Sequence, residues 1–550
     1  MAHLVPPAVA RLARRAARRR DLRRQVRRIA VVSVLLGVLV TTAAARPAPT
    51  RAQPPFTWRQ TVIPGTDGAP LLASVAEPAG PGPHPLVVMP LPWAAGEEQF
   101  RRAQLTAARD GYTFLLYGTR GTHQSGGATD LGGPKDIADV SRVIDWALAH
   151  TSADARRIAT MGLSYGAGIS LLGAAFDRRI SCALSMSGWT DMNDVLQNNG
   201  TPTLGGLVFT SWGSVTAGAD RRGAPLRDFV HWDPARLAAW ARPRSPASYL
   251  DRYNARGTAL YFAHSWGDSS TPAGRLGEFF DDLRVTKRLE MRSGDHGGAE
   301  FSANVMPNEV FTSAMRWLDH TLKGQDNGVA GEPAVRIRPV NGGPLFGAGR
   351  PYEEYPSWAA MTAPARRLFL NGSRSLAGSP GPSDTHVRLV AGAPTVADSG
   401  VIGLQATFEA AIGAQVPRPL ALVPPGTGAL WATEPYPDSR SLRGTPRLHP
   451  TLTPTAPRGT IVAYLYDLDP LGFGRLMTYA PYTFDDRTPG TAFTADFPLR
   501  PTAYDVPAGH RIALVITTTD SRSLSRNPPL AALTLSSSGR SPSSLTLPLR

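Results

Sequence analysis

The stretch that decides the fold class is Arg157–Ala175, with the sequence RIATMGLSYGAGISLLGAA. Its first five residues are typical of a buried strand, and the small residues from Gly166 onward predict a helix. Between them, Gly162–Gly166 matches G-x-S-x-G, the motif in which a serine occupies a tight turn from strand to helix. The pentapeptide alone is common, but a strand before it and a helix after it predict an α/β fold with Ser164 as an exposed nucleophile.

Strands and helices alternate on both sides of this stretch, which indicates a mainly parallel, doubly wound sheet with helices on both faces. An antiparallel hairpin is predicted at Trp58–Ile63 and Pro70–Glu77, joined by a Pro-Gly-Thr-Asp-Gly turn. The other predicted strands are Leu86–Met89, Tyr112–Tyr117, Ile180–Met186, Ala259–His264 and Arg288–Arg292. The other predicted helices are Gln99–Asp110, Asp136–His150, Ala273–Asp282 and one near Asn308–Leu322.

The pattern divides the chain into two folded regions. Residues 58–340 are predicted to form an α/β-hydrolase catalytic domain, in which residues 189–250 break the alternation and form an inserted helical cap with a helix at Pro234–Ala241. Residues 341–352 contain four Gly and two Pro and indicate a linker. Residues 353–550 lack helical periodicity and predict an all-β sandwich of the jelly-roll type. Its predicted strands are Arg367–Leu370, Val387–Leu389, Ala429–Thr433, Thr460–Leu465, Arg475–Tyr479, Ala492–Leu499 and Arg511–Thr518.

A serine nucleophile needs a base, and the base needs an acid to orient it. In α/β hydrolases the chain order is Ser, then Asp or Glu, then His. Asp268 follows one predicted strand and His296 follows the next, so both lie at the edge of the sheet where Ser164 emerges. Asp295 is a rival acid that directly precedes the histidine, and His264 is a rival base inside a strand. The order and position favour Ser164, Asp268 and His296 as a catalytic triad.

An oxyanion hole needs two donors directed at the carbonyl oxygen of the substrate. The first is predicted to be the backbone N–H of Tyr165, the residue after the nucleophile. The second is predicted to come from the loop after the first parallel strand, Pro90-Leu91-Pro92-Trp93-Ala94.

The chain resembles the cocaine esterase and X-Pro dipeptidyl-peptidase family of serine hydrolases over about residues 58–525. The resemblance rests on several motifs: the Asp67-Gly68 hairpin, the Gly-Leu-Ser-Tyr-Gly-Ala-Gly turn, Gly267-Asp268, His296-Gly297, and in the second half Trp431-Ala-Thr-Glu-Pro-Tyr, Arg443-Gly-Thr-Pro and Ala508-Gly-His-Arg-Ile. It implies a C-terminal jelly-roll domain and a substrate that is either an X-Pro dipeptide at a peptide N-terminus or a small acyl ester. The family usually has Pro-Tyr where this chain has Pro92-Trp93. Trp93 therefore either donates its indole N–H to the oxyanion or only lines the pocket.

An X-Pro exopeptidase must also hold a free amine, normally with a buried carboxylate. The cap region offers four acids for this purpose: Asp191, Asp194, Asp228 and Asp233. They are either amine ligands or solvated side chains.

The charge of the chain is concentrated in its first residues. The 550 residues carry a formal net charge of +15, of which residues 1–45 supply +9 through ten Arg and one Asp. This basic segment precedes an apolar run, Ile29–Val40, and the small residues Ala43, Ala44 and Ala45, so residues 1–45 are predicted to be a secretory signal peptide. Cleavage after Ala45 or after Ala52, Sec or twin-arginine export, and retention as a membrane anchor remain open. Residues 46–57 are predicted to form a linker.

Composition excludes several other classes of protein. A single cysteine, Cys182, excludes an intrachain disulfide framework and a cysteine-rich metal site, and the histidines lack metal-ligand spacing. The mature part has no basic cluster interleaved with aromatic residues, which argues against nucleic acid as a partner. The sequence therefore predicts an exported serine hydrolase that acts on a small peptide or ester substrate and needs no cofactor. The alternative is a catalytically inert, secreted binding protein whose sandwich recognises a partner through Tyr464, Tyr466, Tyr479 and Tyr482.

Overall fold

The computed structural model describes residues 56–93, 95–216, 225–298, 309–343 and 349–550. The predicted signal peptide, residues 1–45, and most of the predicted linker, residues 46–57, lie outside the described residues. The last two residues of that linker already belong to the first strand, Phe56–Pro64.

The first half of the described chain is built on one mixed sheet. Its ten strands, counted over the described residues, are β1 (Phe56–Pro64), β2 (Pro70–Pro78), β3 (His84–Pro90), β4 (Thr113–Tyr117), β5 (Ala153–Leu163), β6 (Ile180–Met186), β7 (Ala259–Ser265), β8 (Lys287–Arg292), β9 (Val335–Ile337) and β10 (Glu353–Tyr355). Their order is β1-β2-β4-β3-β5-β6-β7-β8-β9-β10. Strands β3 to β9 run parallel, and the hairpin β1–β2 and strand β10 add antiparallel edges.

Helices cover both faces of this sheet because alternate residues of each central strand point to opposite sides. In β3, Leu86 and Val88 join a core beneath the helices that follow β4 and β5, whereas Val87 and Met89 face a second core on the other side. The helices of this half outside the cap are α1 (Glu97–Arg109), α2 (Pro134–His150), α3 (Tyr165–Phe176), Leu250–Arg256, Leu276–Asp282 and Glu309–Lys323.

The predicted cap region is helical in its described part. Its helices are Met192–Leu196, Leu204–Thr216, Leu226–His231 and Pro234–Ala241, and a short hairpin pairs Gln197–Asn198 with Thr201–Pro202. An α/β hydrolase with an inserted helical cap, as the sequence predicts, is therefore the fold of this half.

The second half is an all-antiparallel β-structure around its own apolar core, which includes Trp431, Leu465 and Leu514. Its strands are Ala365–Leu370, Leu376–Ala377, Thr385–Val390, Arg418–Pro419, Gly428–Ala432, Arg440–Gly444, Arg447–His449, Thr451–Pro454, Gly459–Leu468, Phe473–Phe484, Phe493–Thr494, Phe497–Pro498, Thr502–Val506, Arg511–Thr517, Ala532–Ser537 and Ser544–Pro548. We refer to residues 365–550 as the β-sandwich domain. The predicted fold class is confirmed in both halves.

Several element boundaries differ from the sequence prediction. The predicted domain boundary at residue 353 coincides with β10, which pairs with β9 and so extends the first sheet. Helix Leu276–Asp282 begins three residues later than predicted, and the predicted strand Ala492–Leu499 is two short strands. The β-sandwich domain also contains a helix, Gln405–Ile412, that strand patterns do not indicate; it ends at Gly413, whose positive φ of 69° closes the last turn.

Within the described ranges, no helix is both long and apolar enough to cross a membrane.

Candidate active site

Ser164 lies at the turn between β5 and α3. Its φ of 56° and ψ of −120° place it in a backbone conformation that non-glycine residues adopt only under strain. The flanking glycines allow this turn to pack closely. A Cβ on Gly162 would lie 2.2 Å from the backbone of Gly166, and a Cβ on Gly166 would lie 2.0 Å from the carbonyl oxygen of Pro90. The geometry is that of the strand–turn–helix predicted for a nucleophilic serine.

His296 lies on the loop after β8 and faces this serine. Its Nε2 lies 2.6 Å from the Oγ of Ser164, and its Nδ1 lies 2.9 Å from Oδ2 and 3.1 Å from Oδ1 of Asp268. The carboxylate requires a proton on Nδ1, so Nε2 is the nitrogen that accepts from the serine hydroxyl. The structure therefore brings together the three residues that the sequence selects.

Asp268 lies on the loop after β7 and is buried, with 1% of its surface exposed. Its Oδ1 accepts the backbone N–H groups of Ser270 at 3.0 Å and Thr271 at 2.7 Å. Burial opposes ionisation, but the His296 ring and these hydrogen bonds outweigh it, so the pKa of Asp268 lies below its ordinary value. The carboxylate is therefore charged at neutral pH and can stabilise a protonated imidazole.

Thr271 is part of the site, although sequence reasoning did not select it. Its hydroxyl donates to the carbonyl of Ser187 at 2.8 Å and lies 3.1 Å from Nδ1 of His296. On the other side of the loop, the Ser187 hydroxyl accepts the backbone N–H of Gly297 at 3.2 Å. Thr271 and Ser187 thus connect the loop after β7 that carries Asp268 (the acid loop), the loop after β8 that carries His296 (the histidine loop) and the end of β6. An Asp three residues before a Thr is a local turn signal that predicts the Asp–Thr contact.

Asp295, the rival acid, holds the loop rather than the imidazole. Its Oδ1 accepts the backbone N–H of His296 at 2.7 Å and both the backbone N–H and the hydroxyl of Ser269, at 2.7 and 2.6 Å. Its Oδ2 accepts the backbone N–H of Gly403 at 3.1 Å and lies 3.4 Å from the guanidinium of Arg522. Both of these residues belong to the β-sandwich domain, so Asp295 joins the histidine loop to that domain.

His264, the rival base, is buried and lies beside the acid rather than the serine. Its Nε2 is 2.9 Å from the carbonyl oxygen of Thr271 and 3.7 Å from Oδ2 of Asp268. Burial lowers the pKa of His264, so the ring is neutral at neutral pH.

The two residues predicted to form the oxyanion hole are in contact through their rings. Tyr165 is the first residue of α3, where a backbone N–H has no partner within its own helix. The Trp93 ring stacks on the Tyr165 ring with centroids 4.5 Å apart. The Nε1 atom of Trp93 is buried and has no hydrogen-bond partner among the described residues. A buried, unused N–H donor is what an oxyanion hole requires.

Two cap residues extend this aromatic stack. Phe209 and Trp212, both on the helix Leu204–Thr216, lie 4.9 and 5.8 Å from the Trp93 ring centroid. Phe209 is buried and Trp212 is 41% exposed. The cap thus adds an aromatic wall beside the residue that follows Ser164. The sequence places both residues in the cap but gives no signal that they face Trp93.

Three of the four cap acids have structural roles. Asp191 caps the helix Met192–Leu196 and forms an ion pair with Arg275. Asp194 accepts the backbone N–H of Arg275 at 3.3 Å, and burial next to Asp191 raises its pKa to about 6. Asp233 caps the helix Pro234–Ala241. Asp228 has no side-chain hydrogen bond or ion pair with another residue of the described ranges.

A carboxyl group also lies beneath the site. The hydroxyl of Tyr165 donates to Oδ2 of Asp136 at 2.6 Å and accepts the backbone N–H of Gly132 at 3.0 Å. Burial raises the pKa of Asp136 to about 7, although the Tyr165 hydrogen bond lowers it.

In the part of the chain that the structure describes, no group of three or more His, Cys, Asp or Glu side chains is arranged to hold a metal ion.

Three of the four tyrosines that the alternative hypothesis assigns to a binding surface are buried in the core. Tyr464 and Tyr466 are fully buried and Tyr479 is 5% exposed, in a cluster on one side of the strand Gly459–Leu468. These three rings are not available to a partner.

Comparisons with known proteins identify both halves. A family model described as X-Pro dipeptidyl-peptidase (S15 family) matches residues 67–298, and a model of the X-Pro dipeptidyl-peptidase C-terminal non-catalytic domain matches residues 327–546. A putative Xaa-Pro dipeptidyl-peptidase of Streptomyces avermitilis is 23% identical over 505 residues, which cover 77% of this chain and 69% of that protein. The chain spans about half the length of other curated relatives that it matches.

Solved structures share the whole fold. An aminopeptidase from the marine sediment archaeon Thaumarchaeota archaeon, 14% identical, covers 92% of this chain and 99% of its own with a TM-score of 0.71. An α-amino acid ester hydrolase, 16% identical, covers 93% of this chain and 100% of its own with a TM-score of 0.69. At these identities the likeness establishes the fold.

Proposed function

Because this chain belongs to the X-Pro dipeptidyl-peptidase family of hydrolases, we propose that it cleaves an acyl bond through a covalent acyl-enzyme on Ser164. The observation that supports this most directly is the hydrogen-bonded series Ser164, His296 and Asp268, with contacts of 2.6 and 2.9 Å. A strained serine with a histidine on its hydroxyl and a buried carboxylate on the other ring nitrogen is the arrangement that activates a serine.

The proposed reaction proceeds in two halves. Ser164 Oγ attacks the substrate carbonyl carbon while Nε2 of His296 takes the hydroxyl proton, and the same nitrogen then protonates the departing amine or alcohol. Water, deprotonated by His296, next attacks the acyl-enzyme, and the proton returns to Ser164. In both halves Asp268 keeps the imidazole in the required tautomer and stabilises its protonated form.

In the tetrahedral intermediates of acylation and of deacylation, the negative charge lies on the former carbonyl oxygen. We assign its stabilisation to the backbone N–H of Tyr165 and to Nε1 of Trp93. The buried, unpartnered state of the Trp93 N–H supports this assignment, since such a group is costly unless a ligand uses it.

The first substrate class is a peptide with proline as its second residue, as the names of the relatives indicate. A small acyl ester is the second. The aromatic wall of Trp93, Phe209 and Trp212 favours an apolar acyl group, and the structural roles of Asp191, Asp194 and Asp233 leave fewer carboxylates for a free amine.

The test has two parts. A fluorophosphonate probe is expected to label the wild-type protein and not Ser164→Ala, which also loses turnover by about 10⁴-fold or more. Ser373→Ala, an exposed serine of the β-sandwich domain, is the matched control and retains both properties. Equal labelling of wild type and Ser164→Ala would refute the assignment of the nucleophile. The ratio of kcat/KM on an X-Pro-p-nitroanilide to that on a short-chain aryl ester then separates the two substrate classes.

We propose in addition that residues 1–45 direct export of the protein. The basic segment, short apolar run and small residues of the sequence support this. N-terminal sequencing of protein recovered from culture medium tests it; an N-terminus at residue 46 or 53 supports cleavage, and intact protein in the cytoplasm argues against export.

A further inference from the structure

A cavity lies between the hydrolase domain and the β-sandwich domain, and Ser164 does not line it. It has a volume of about 580 Å³, and it is lined by the acid loop on one side and by the β-sandwich domain on the other. Trp266 and Gly267 contribute from the acid loop, and Met477, Arg500 and Pro501 from the sandwich. Ser164, His296, Trp93 and Tyr165 are absent from its lining. A volume of this size suits a small organic molecule.

Arg500 is the unusual residue of this cavity. Its side chain is buried, with 9% of the residue exposed, and its guanidinium lies 4.7 Å from the Tyr479 ring centroid. Its Nη1 donates to the backbone carbonyl of Asp268 at 3.2 Å, whereas Nε is buried without a hydrogen-bond partner. Among the described residues, no carboxylate forms an ion pair with Arg500. A buried cation that lacks an opposite charge is unfavourable unless something else neutralises it.

The other charged side chains that line the cavity have ion-pair or hydrogen-bond partners. Arg475 pairs with Asp469 at 3.1 Å, and Arg522 lies 3.4 Å from Asp295. Asp467 accepts from Nδ1 of His510 at 2.7 Å and from the hydroxyl of Tyr504 at 3.0 Å. Glu409, which is partly exposed, accepts from Gln405 at 2.7 Å and from the backbone of Val416 at 3.0 Å. Glu409 and Asp467 pair with no Arg or Lys among the described residues, but their carboxylates accept hydrogen bonds, whereas Arg500 keeps a buried N–H donor without a partner.

We propose that this cavity binds a small organic molecule through one carboxylate, which pairs with the guanidinium of Arg500. A carboxylate supplies one negative charge and an acceptor for the free Nε–H, which matches what Arg500 lacks. The acids that line the same space, Glu409, Asp467 and Asp469, disfavour a doubly charged anion such as phosphate. Because the volume exceeds that of a bare carboxylate, the ligand carries a body of amino-acid to dipeptide size.

The experiment measures binding, not turnover, so its result does not depend on the proposed activity. N-acetylglycine and its neutral counterpart N-acetylglycinamide are titrated into the full mature protein by calorimetry. N-acetylglycine is expected to bind at least tenfold more tightly than the amide. In Arg500→Gln the two probes are expected to bind equally weakly. Arg475→Gln, which removes a positive charge from the same cavity but one already paired, is the matched control and changes the affinity by no more than twofold.

Arg500→Lys keeps the charge and the aliphatic stem if the glutamine variant does not fold, and is expected to weaken N-acetylglycine three- to tenfold because Nε is lost. A crystal of the wild type soaked in N-acetylglycine is expected to show a carboxylate oxygen within hydrogen-bond distance of Arg500 Nε. Equal binding of acid and amide, unchanged affinity in both Arg500 variants, or a carboxylate located elsewhere overturns the proposal.

Discussion

The raised pKa of Asp136, which lies beneath the residue that follows Ser164, predicts a pH dependence of the free energy of unfolding. Asp136 lies in the first turn of α2 and is 2% exposed. Its Oδ2 accepts from the Tyr165 hydroxyl and the backbone N–H of Gly132, and its Oδ1 has no partner in the described chain. Burial raises its pKa from 3.8 to about 7.

The perturbation is Asp136→Asn, which cannot ionise and has nearly the same shape. Between pH 3.8 and about 7 the folded wild type keeps the proton on Asp136 while the unfolded chain has lost it. Unfolding then releases a proton, so the free energy of unfolding falls as pH rises, and it levels off above the folded pKa. Three pH units at about 1.4 kcal/mol each give a loss of up to about 4 kcal/mol. The free energy of unfolding of Asp136→Asn does not include this loss, because an amide does not ionise.

The assay is urea unfolding of wild type and Asp136→Asn in parallel from pH 4.5 to pH 8.5. Other titrating groups contribute equally to both proteins, so their difference isolates Asp136. As pH rises from 4.5 to above 7, we expect the free energy of unfolding of Asp136→Asn to increase relative to that of wild type by about 3.5 kcal/mol, because about 2.5 pH units at about 1.4 kcal/mol each are sampled. Tyr165→Phe removes a hydrogen bond that lowers this pKa, so the fall in its stability is expected to extend to higher pH. A difference between Asp136→Asn and wild type that does not vary with pH refutes the reasoning.

Three further predictions concern the proposed catalytic groups and are measured by steady-state kinetics. Asp268→Asn is expected to lower kcat by about 10⁴-fold, because the neutral amide no longer keeps the proton of the imidazole on Nδ1. A loss below tenfold contradicts the role of Asp268. Trp93→Phe keeps the ring on Tyr165 and removes the N–H, so kcat is expected to fall by about 10²-fold with KM nearly unchanged. An unchanged kcat in that variant means that Trp93 only lines the pocket. Thr271→Val is expected to lower kcat by about tenfold, because the bond that ties the acid loop to Ser187 is lost; full activity contradicts this.

The sequence predicts the parts of the fold and site that depend on local patterns. Ser164 is found because its neighbours in the chain form the turn, and Asp268 and His296 because each follows a strand of one parallel sheet. Such residues must meet at the carboxyl edge once the strand order is accepted. The signal depends on strand succession and not on any contact between the three residues.

Residues that act from a distant part of the chain are not predictable in this way. Arg500 reaches the carbonyl of Asp268 across 232 positions, and Arg522 reaches Asp295 across 227. Nothing near either arginine distinguishes it from the other arginines of the β-sandwich domain. The helix Gln405–Ile412 is not predictable for a related reason. Its eight residues lie within a β-rich region, and they contact the acid and histidine loops, which are distant in the sequence.

These long-range contacts change what the β-sandwich domain does for the site. Arg522 binds one carboxylate oxygen of Asp295, and the other oxygen of Asp295 accepts the backbone N–H of His296. Arg500 holds the carbonyl of Asp268, the residue whose side chain orients the imidazole. Both loops therefore take their described positions with help from side chains of the second domain. Since a base must stay within hydrogen-bond distance of the serine to act, the hydrolase domain alone lacks part of the framework that positions its own acid and histidine.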